Sequence, residues 1–137
     1  MIIDGTDLIL GRLASFAAKK ALLGEEVIIV NSEKVMITGS KKNVLDNYKR
    51  KISRGSVRWG PFFPRTSERI LRRTIRGMLP YKKDRGRKAY KKIKCFIGVP
   101  DKYKDNVGTI PQINISKVKN LKYISLGQIS KELGVKV

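Results

Sequence analysis

Two short apolar runs near the N-terminus, "MII" before Asp4 and "VIIV" before Asn31, bracket the stretch "LGRLASFAAKKALLG". Within that stretch Leu13, Phe16, Ala17 and Ala21 recur at helical spacing, and Gly24 is placed as a C-terminal stop. The run Val27, Ile28, Ile29, Val30 lacks polar alternation. A β-branched run of that kind fits a strand covered on both faces. Strand, helix and strand in this order predict a parallel pair joined by a right-handed crossover. At 137 residues, such a unit extends into one domain, residues 1–137, that buries roughly two-thirds of its unfolded surface.

The remaining pattern supplies further layers. "KVMITG" reads as another short strand, and Ser40 stands at the N-cap of a helix whose Val44, Leu45, Tyr48 and Ile52 form an apolar stripe. "SRGSVRWGPFFPRTS" is dominated by Gly, Pro, Ser and Arg and predicts a long loop. From Ser67 a helix resumes, with Ile70, Leu71, Thr74, Ile75 and Met78 on one face and Pro80 to end it. A shorter basic helix follows Asp84, turning Ala89, Tyr90 and Ile93 inward. "KCFIGVP" is a returning strand, the stretch after Pro100 is irregular, and "LGQISKELG" is a last helix stopped by Gly134.

Charge is distributed unevenly over this frame. The chain carries 31 Lys+Arg against 11 Asp+Glu, a formal +20. Residues 41–94 hold +17 of it, between an N-terminal part at −1 and a C-terminal part at +4. Self-repulsion of this size is relieved by a polyanion, nucleic acid before a membrane surface. No segment approaches the roughly twenty apolar residues of a membrane span. The acid-containing N-terminus lacks the basic region of a signal peptide. The single cysteine, Cys95, fits a small core residue in a reducing compartment.

Catalytic and metal chemistry is poorly supplied. The chain has no histidine, one cysteine and few carboxylates, so no metal site and no cofactor is expected. Asp4 and Asp7 read as turn formers. Two strand–turn–helix junctions, "LILGRLAS" and "ITGSKKN", offer helix N-termini to an anion, with Gly11, Arg12, Lys41 and Lys42 nearby. Neither carries a complete nucleotide-binding fingerprint, which weakens a nucleotide-using enzyme. Ordinary helix starts and seats for RNA phosphate both fit these junctions.

Two other features point to RNA. "RWGPFFPR" mixes Trp59, Phe62 and Phe63 with Arg58 and Arg65. Its aromatics suit either anchoring of the loop or stacking on an unpaired base, packing being favoured for the phenylalanines and Trp59 left open. Arg69, Arg72, Arg73 and Arg76 form a second helical stripe with only Glu68 as a nearby acid. Exposed helix faces ordinarily mix signs. Arginine in place of lysine favours bidentate phosphate contact. The stripe reads as a phosphate-binding surface, continued by Lys82, Lys83, Arg85, Arg87, Lys88, Lys91 and Lys92, with Arg54 joining Arg58 and Arg65 on the loop. A stand-alone RNA-binding regulator fits this reading too. Membrane docking does not, because the basic helices lack a bulky apolar face.

In order along the chain, "LGRLAS", "VIIVN", "ITG", "RTIRGMLP" and "RGRKAYKKIKCFIGVP" resemble the ribosomal protein L13 family, a universal component of the large ribosomal subunit. "RGMLP" with its basic continuation is the most specific element. Arg85-Gly86 and the tail "YISLGQISKELG" look like the archaeal and eukaryotic branch. The resemblance implies a three-layer α/β/α fold with a mostly parallel four-stranded sheet and an attached basic helical face. It also implies binding to large-subunit ribosomal RNA beside neighbouring ribosomal proteins, a role in subunit assembly in the cytoplasm, and neither enzymatic activity nor a small-molecule substrate. RNA contacts would come from the loop before the arginine helix, from that helix, and from the "GMLP" segment.

Overall fold

A computed structural model describes residues 1–136. The apolar runs pair as expected. β1 (Ile2–Asp4) and β4 (Ile93–Cys95) flank β2 (Val27–Val30), both parallel to it, with Ile3 opposite Ile29 and Ile29 opposite Cys95. All four β2 residues are buried, as an uninterrupted apolar run requires of a central strand. The crossover between β1 and β2 is α1 (Leu10–Leu22), which buries Leu13, Ala14, Ala17, Ala18 and Ala21. Its row of alanines lets α3 (Ser67–Gly77) and α4 (Asp84–Lys91) pack closely against it. Gly24, at φ +101°, takes the left-handed position that stops the helix.

A four-stranded, mostly parallel sheet is not seen among the described residues. The mixed α/β structure holds a three-stranded parallel sheet and a separate antiparallel pair, β3 (Met36–Thr38) with β5 (Tyr123–Ser125). The reason lies in the turn after β2. Asn31, in the left-handed region at φ 53°, leads into a 3-10 turn at Ser32–Lys34. The chain thus reaches β3 beyond the end of β1, and only Ile9 bridges Met36 there. β3 therefore pairs with the C-terminal segment. The free edge of β1 is met by Gly108, whose backbone exchanges hydrogen bonds of 2.9 and 3.0 Å with Asp4 and Ile2.

Asp4 closes the end of the parallel sheet. Its Oδ1 accepts from Thr6 N at 2.9 Å, Thr6 Oγ1 at 2.7 Å and Asn31 Nδ2 at 2.9 Å. This is the turn-forming role expected of it. Partial burial raises the pKa of the carboxyl, but the hydrogen bonds from Asn31 and Thr6 outweigh that and hold it below its ordinary value. A depressed folded-state pKa contributes stability above the unfolded value, near 3.8, that is lost as pH falls through the folded value. Asp4→Ala is expected to cost about 1–2 kcal/mol at neutral pH, the loss shrinking in strong acid; urea unfolding at both pH values checks this.

The remaining helices bury or half-bury the predicted stripes with one exception. In α2 (Lys41–Ser53) Tyr48 is buried and Val44, Leu45 and Ile52 are half-buried. Ser40 occupies the N-cap position, but its hydroxyl makes no capping bond. In α3, Ile70, Leu71 and Ile75 are fully buried and Thr74 bonds back to the Ile70 carbonyl. Met78 does not join them. It is the C-cap residue after Gly77, its side chain is 41% exposed, and its sulfur accepts from Ser15 Oγ. Leu79 takes the buried place. α5 (Leu126–Glu132) is capped by Ser125, whose Oγ accepts from Gln128 N, and buries Leu126 and Ile129.

Candidate nucleic-acid interface

Burial of Ile70, Leu71 and Ile75 fixes the rotation of α3 and turns Arg69, Arg72, Arg73 and Arg76 outward together. Three of these arginines rest on aromatic rings. The Arg72 guanidinium lies 4.7 Å from the Tyr90 ring centre, Arg73 lies 4.6 Å from Phe63, and Arg76 lies 5.1 Å from Tyr81. Stacking orders a planar guanidinium while leaving most of its five donors free. Arg73 additionally donates from Nη1 to the Phe62 carbonyl at 3.1 Å. With Pro64 and Tyr90 the four arginines line a shallow depression of about 390 Å³. Among the described residues none of the four forms a salt bridge. Four cations oriented side by side without a counter-charge make a site for an oligoanion.

The aromatic seats were not singled out from the sequence as a set. Tyr81 and Tyr90 stand inside the basic run and Phe63 inside the loop, and aromatic residues interleaved with arginine are the signal that would find them. Phe63 packs as expected, against Tyr48. Phe62, its neighbour, does not, and faces solvent.

The other predicted site residues fall into distinct groups. Arg54, Arg58, Trp59 and Arg65 are exposed on the loop between α2 and α3. Lys82, Lys83, Lys88 and Lys91 are exposed on or before α4. Two basic residues of that segment are engaged within the fold. Arg87 donates to the Lys82 carbonyl at 3.0 Å, and Lys92 Nζ donates to the Gly24 carbonyl at 2.8 Å, fastening the end of α1. Arg85 lies apart from the arginine depression, in a hollow with Lys19, Ser15 and Met78 beside α1. Gly11 and Arg12 line another with Ile37 and Thr38, and Lys41 and Lys42 a third with Lys49. The structure thus gathers the α3 arginines into one surface and leaves the two helix-start groups in separate hollows.

The "GMLP" segment sets the angle between α3 and α4. Leu79 N bonds to the Arg76 carbonyl and Lys83 N to the Pro80 carbonyl, so the chain turns tightly around buried Leu79. A Cβ on Gly86 would sit 2.1 Å from the Pro80 carbonyl oxygen. Close approach at Gly86 is therefore to the protein's own turn, while Gly77 opens on space. Cys95, behind Arg72, is a half-buried side chain whose thiol is pushed up to about 12 by burial, against the pull of Arg72. It stays a protonated packing residue.

A mixed α/β frame bearing an unpaired arginine face defines a basic, polyanion-facing class of protein. Among the described residues no helix is long and apolar enough to cross a membrane. The family model described as "Ribosomal protein L13" matches residues 1–102. The large ribosomal subunit protein uL13 of Methanosarcina barkeri is 48% identical, over 98% of each chain. Those of Archaeoglobus fulgidus and Methanocaldococcus jannaschii are 47% and 45% identical, covering 97% and 98% of this chain and 86% and 98% of their own. The chain belongs to the ribosomal protein L13 family, whose members are structural, non-enzymatic constituents of the ribosome.

Proposed function

We propose that this protein is a structural constituent of the large ribosomal subunit in the cytoplasm. There it binds large-subunit ribosomal RNA through the arginine face of α3 and the basic residues that follow, and touches neighbouring ribosomal proteins. The observation that carries the reading is the set of four arginines, unpaired with acid and stacked on Tyr90, Phe63 and Tyr81. Folded RNA presents phosphates and 2′-hydroxyls across a shallow groove, and is recognised chiefly by shape. Guanidinium groups held in a fixed array bridge phosphates from separate RNA segments and reduce their mutual repulsion, which is the physical content of support for assembly. Residues 1–137 act in this as one unit.

Gradient sedimentation tests the reading against that of a free RNA-binding regulator. The protein is expected to remain with the large subunit through high-magnesium washes. Release into the unbound fraction while the subunit stays intact would overturn it.

A further inference from the structure

The loop between α2 and α3 displays apolar side chains that nothing among the described residues covers. Val57 is 96%, Trp59 88% and Phe62 71% exposed. Clustered exposure of this kind marks a contact surface. The loop is well built. Ser56 and Gly60 exchange backbone hydrogen bonds of 3.2 and 3.0 Å, and Ser56 Oγ accepts from Trp59 N at 3.2 Å. Gly55 sits at φ +87°, where a Cβ would meet the Gly60 carbonyl oxygen at 2.1 Å. The inner side of the loop is fastened to both helices. Phe63 meets Tyr48 edge-on at 5.8 Å, Lys51 lies over both rings, and Arg73 covers Phe63 while holding the Phe62 carbonyl.

The chemistry around the tip selects its partner. Arg54, Arg58 and Arg65 are exposed on the same loop, and no acid occurs between Asp46 and Glu68. An apolar protein surface would cover the aromatics but leave the three guanidinium groups without counter-charge. An RNA strand offers both phosphates and the flat face of a base. We propose that Trp59 and Phe62 form a stacking platform for an unpaired nucleobase, flanked by the loop arginines and tied through Arg73 to the arginine face of α3. The proposal rests on the RNA-binding reading above and refines it: α3 takes backbone phosphates, and the tip takes a base out of the stack. Because the turn is already ordered, little conformational freedom is lost on contact.

Trp59 is the chain's one tryptophan, so its fluorescence reports the tip alone. The full chain is titrated with a large-subunit ribosomal RNA transcript, with affinity measured by filter retention and Trp59 emission followed in parallel. Oligoadenylate and an abasic phosphodiester strand of equal length serve as base-bearing and base-free probes. Expected are quenching by the transcript and by oligoadenylate but not by the abasic strand. Trp59→Ala should weaken transcript binding roughly five- to a hundredfold, and Trp59→Phe should retain most of it. Normal transcript binding with unchanged emission and unchanged Trp59→Ala affinity overturns the platform alone, and leaves an apolar protein partner as the occupant of the tip. Failure of the transcript to bind wild type overturns the RNA-binding reading together with it.

Discussion

Raising monovalent salt from about 50 to 200 mM weakens binding of this protein to large-subunit ribosomal RNA by about 10³-fold or more, with log affinity falling linearly in log salt concentration. The expectation follows from how the cations are arranged. Each phosphate neutralised by a guanidinium or ammonium group releases condensed counterion, and the free-energy gain from that release shrinks as bulk salt rises. About 6–10 contacts are enough for the stated loss. Arg69, Arg72, Arg73 and Arg76 supply four candidates on one helix face. Exposed Lys82, Lys83, Lys88 and Lys91 continue them, and Arg54, Arg58 and Arg65 stand on the loop. A surface that bound RNA mainly by apolar contact would respond weakly to salt. Filter-binding isotherms at four or more salt concentrations decide between the two. A loss smaller than tenfold over this range would remove the electrostatic mechanism.

The elements legible in the sequence are those set by local rules. "VIIV" announced a central strand because four consecutive apolar β-branched residues have no solvent face to offer, and the structure buries all four. The arginine face of α3 was legible because its spacing and that of Ile70, Leu71 and Ile75 obey one helical period, so burying one set necessarily exposes the other. What escaped was set by distant parts of the chain. β3 finds its partner in Tyr123–Ser125, a three-residue strand too short to carry a periodic signal. The edge of β1 is met by Gly108 within a segment of 3-10 turns, where no hydrophobic alternation exists to be read.

At the interface the same division holds. Charge density located the basic region, but not which cations the fold would use internally. Lys92 reads like Lys91 in sequence, yet it reaches the carbonyl of Gly24, sixty-eight positions away. Arg85 looks like part of the run and lies beside α1 instead. Phe62 and Phe63 are identical and adjacent, yet the loop makes one an anchor and the other an exposed ring.

Arg72→Glu/Arg76→Glu is expected to lower affinity for large-subunit RNA by about 10²- to 10⁴-fold, since each hydrogen-bonded charged contact contributes about 1.5–3 kcal/mol. The effect exceeds simple removal. A carboxylate at position 72 would stand three residues from Arg69, and one at position 76 three residues from Arg73, so each would draw a remaining arginine into an intrahelical pair. The salt slope should fall by at least about two, one for each lost phosphate contact. Stability should change by no more than about 1–2 kcal/mol, because the stacking of Arg72 on Tyr90 and Arg76 on Tyr81 is partly exposed and relief of like-charge repulsion offsets its loss. Urea unfolding monitors that term, and chemical footprinting monitors the interface. Arg72→Lys/Arg76→Lys separates charge from geometry: it keeps the cations and the salt slope but loses the bidentate fork and the planar stack, so a smaller loss of affinity at an unchanged slope is expected. Undiminished protection of the RNA by the doubly reversed protein, with its fold intact, would mean that RNA meets a different face. If reversal and lysine replacement proved equally harmful at equal slopes, α3 would act through packing rather than through charge.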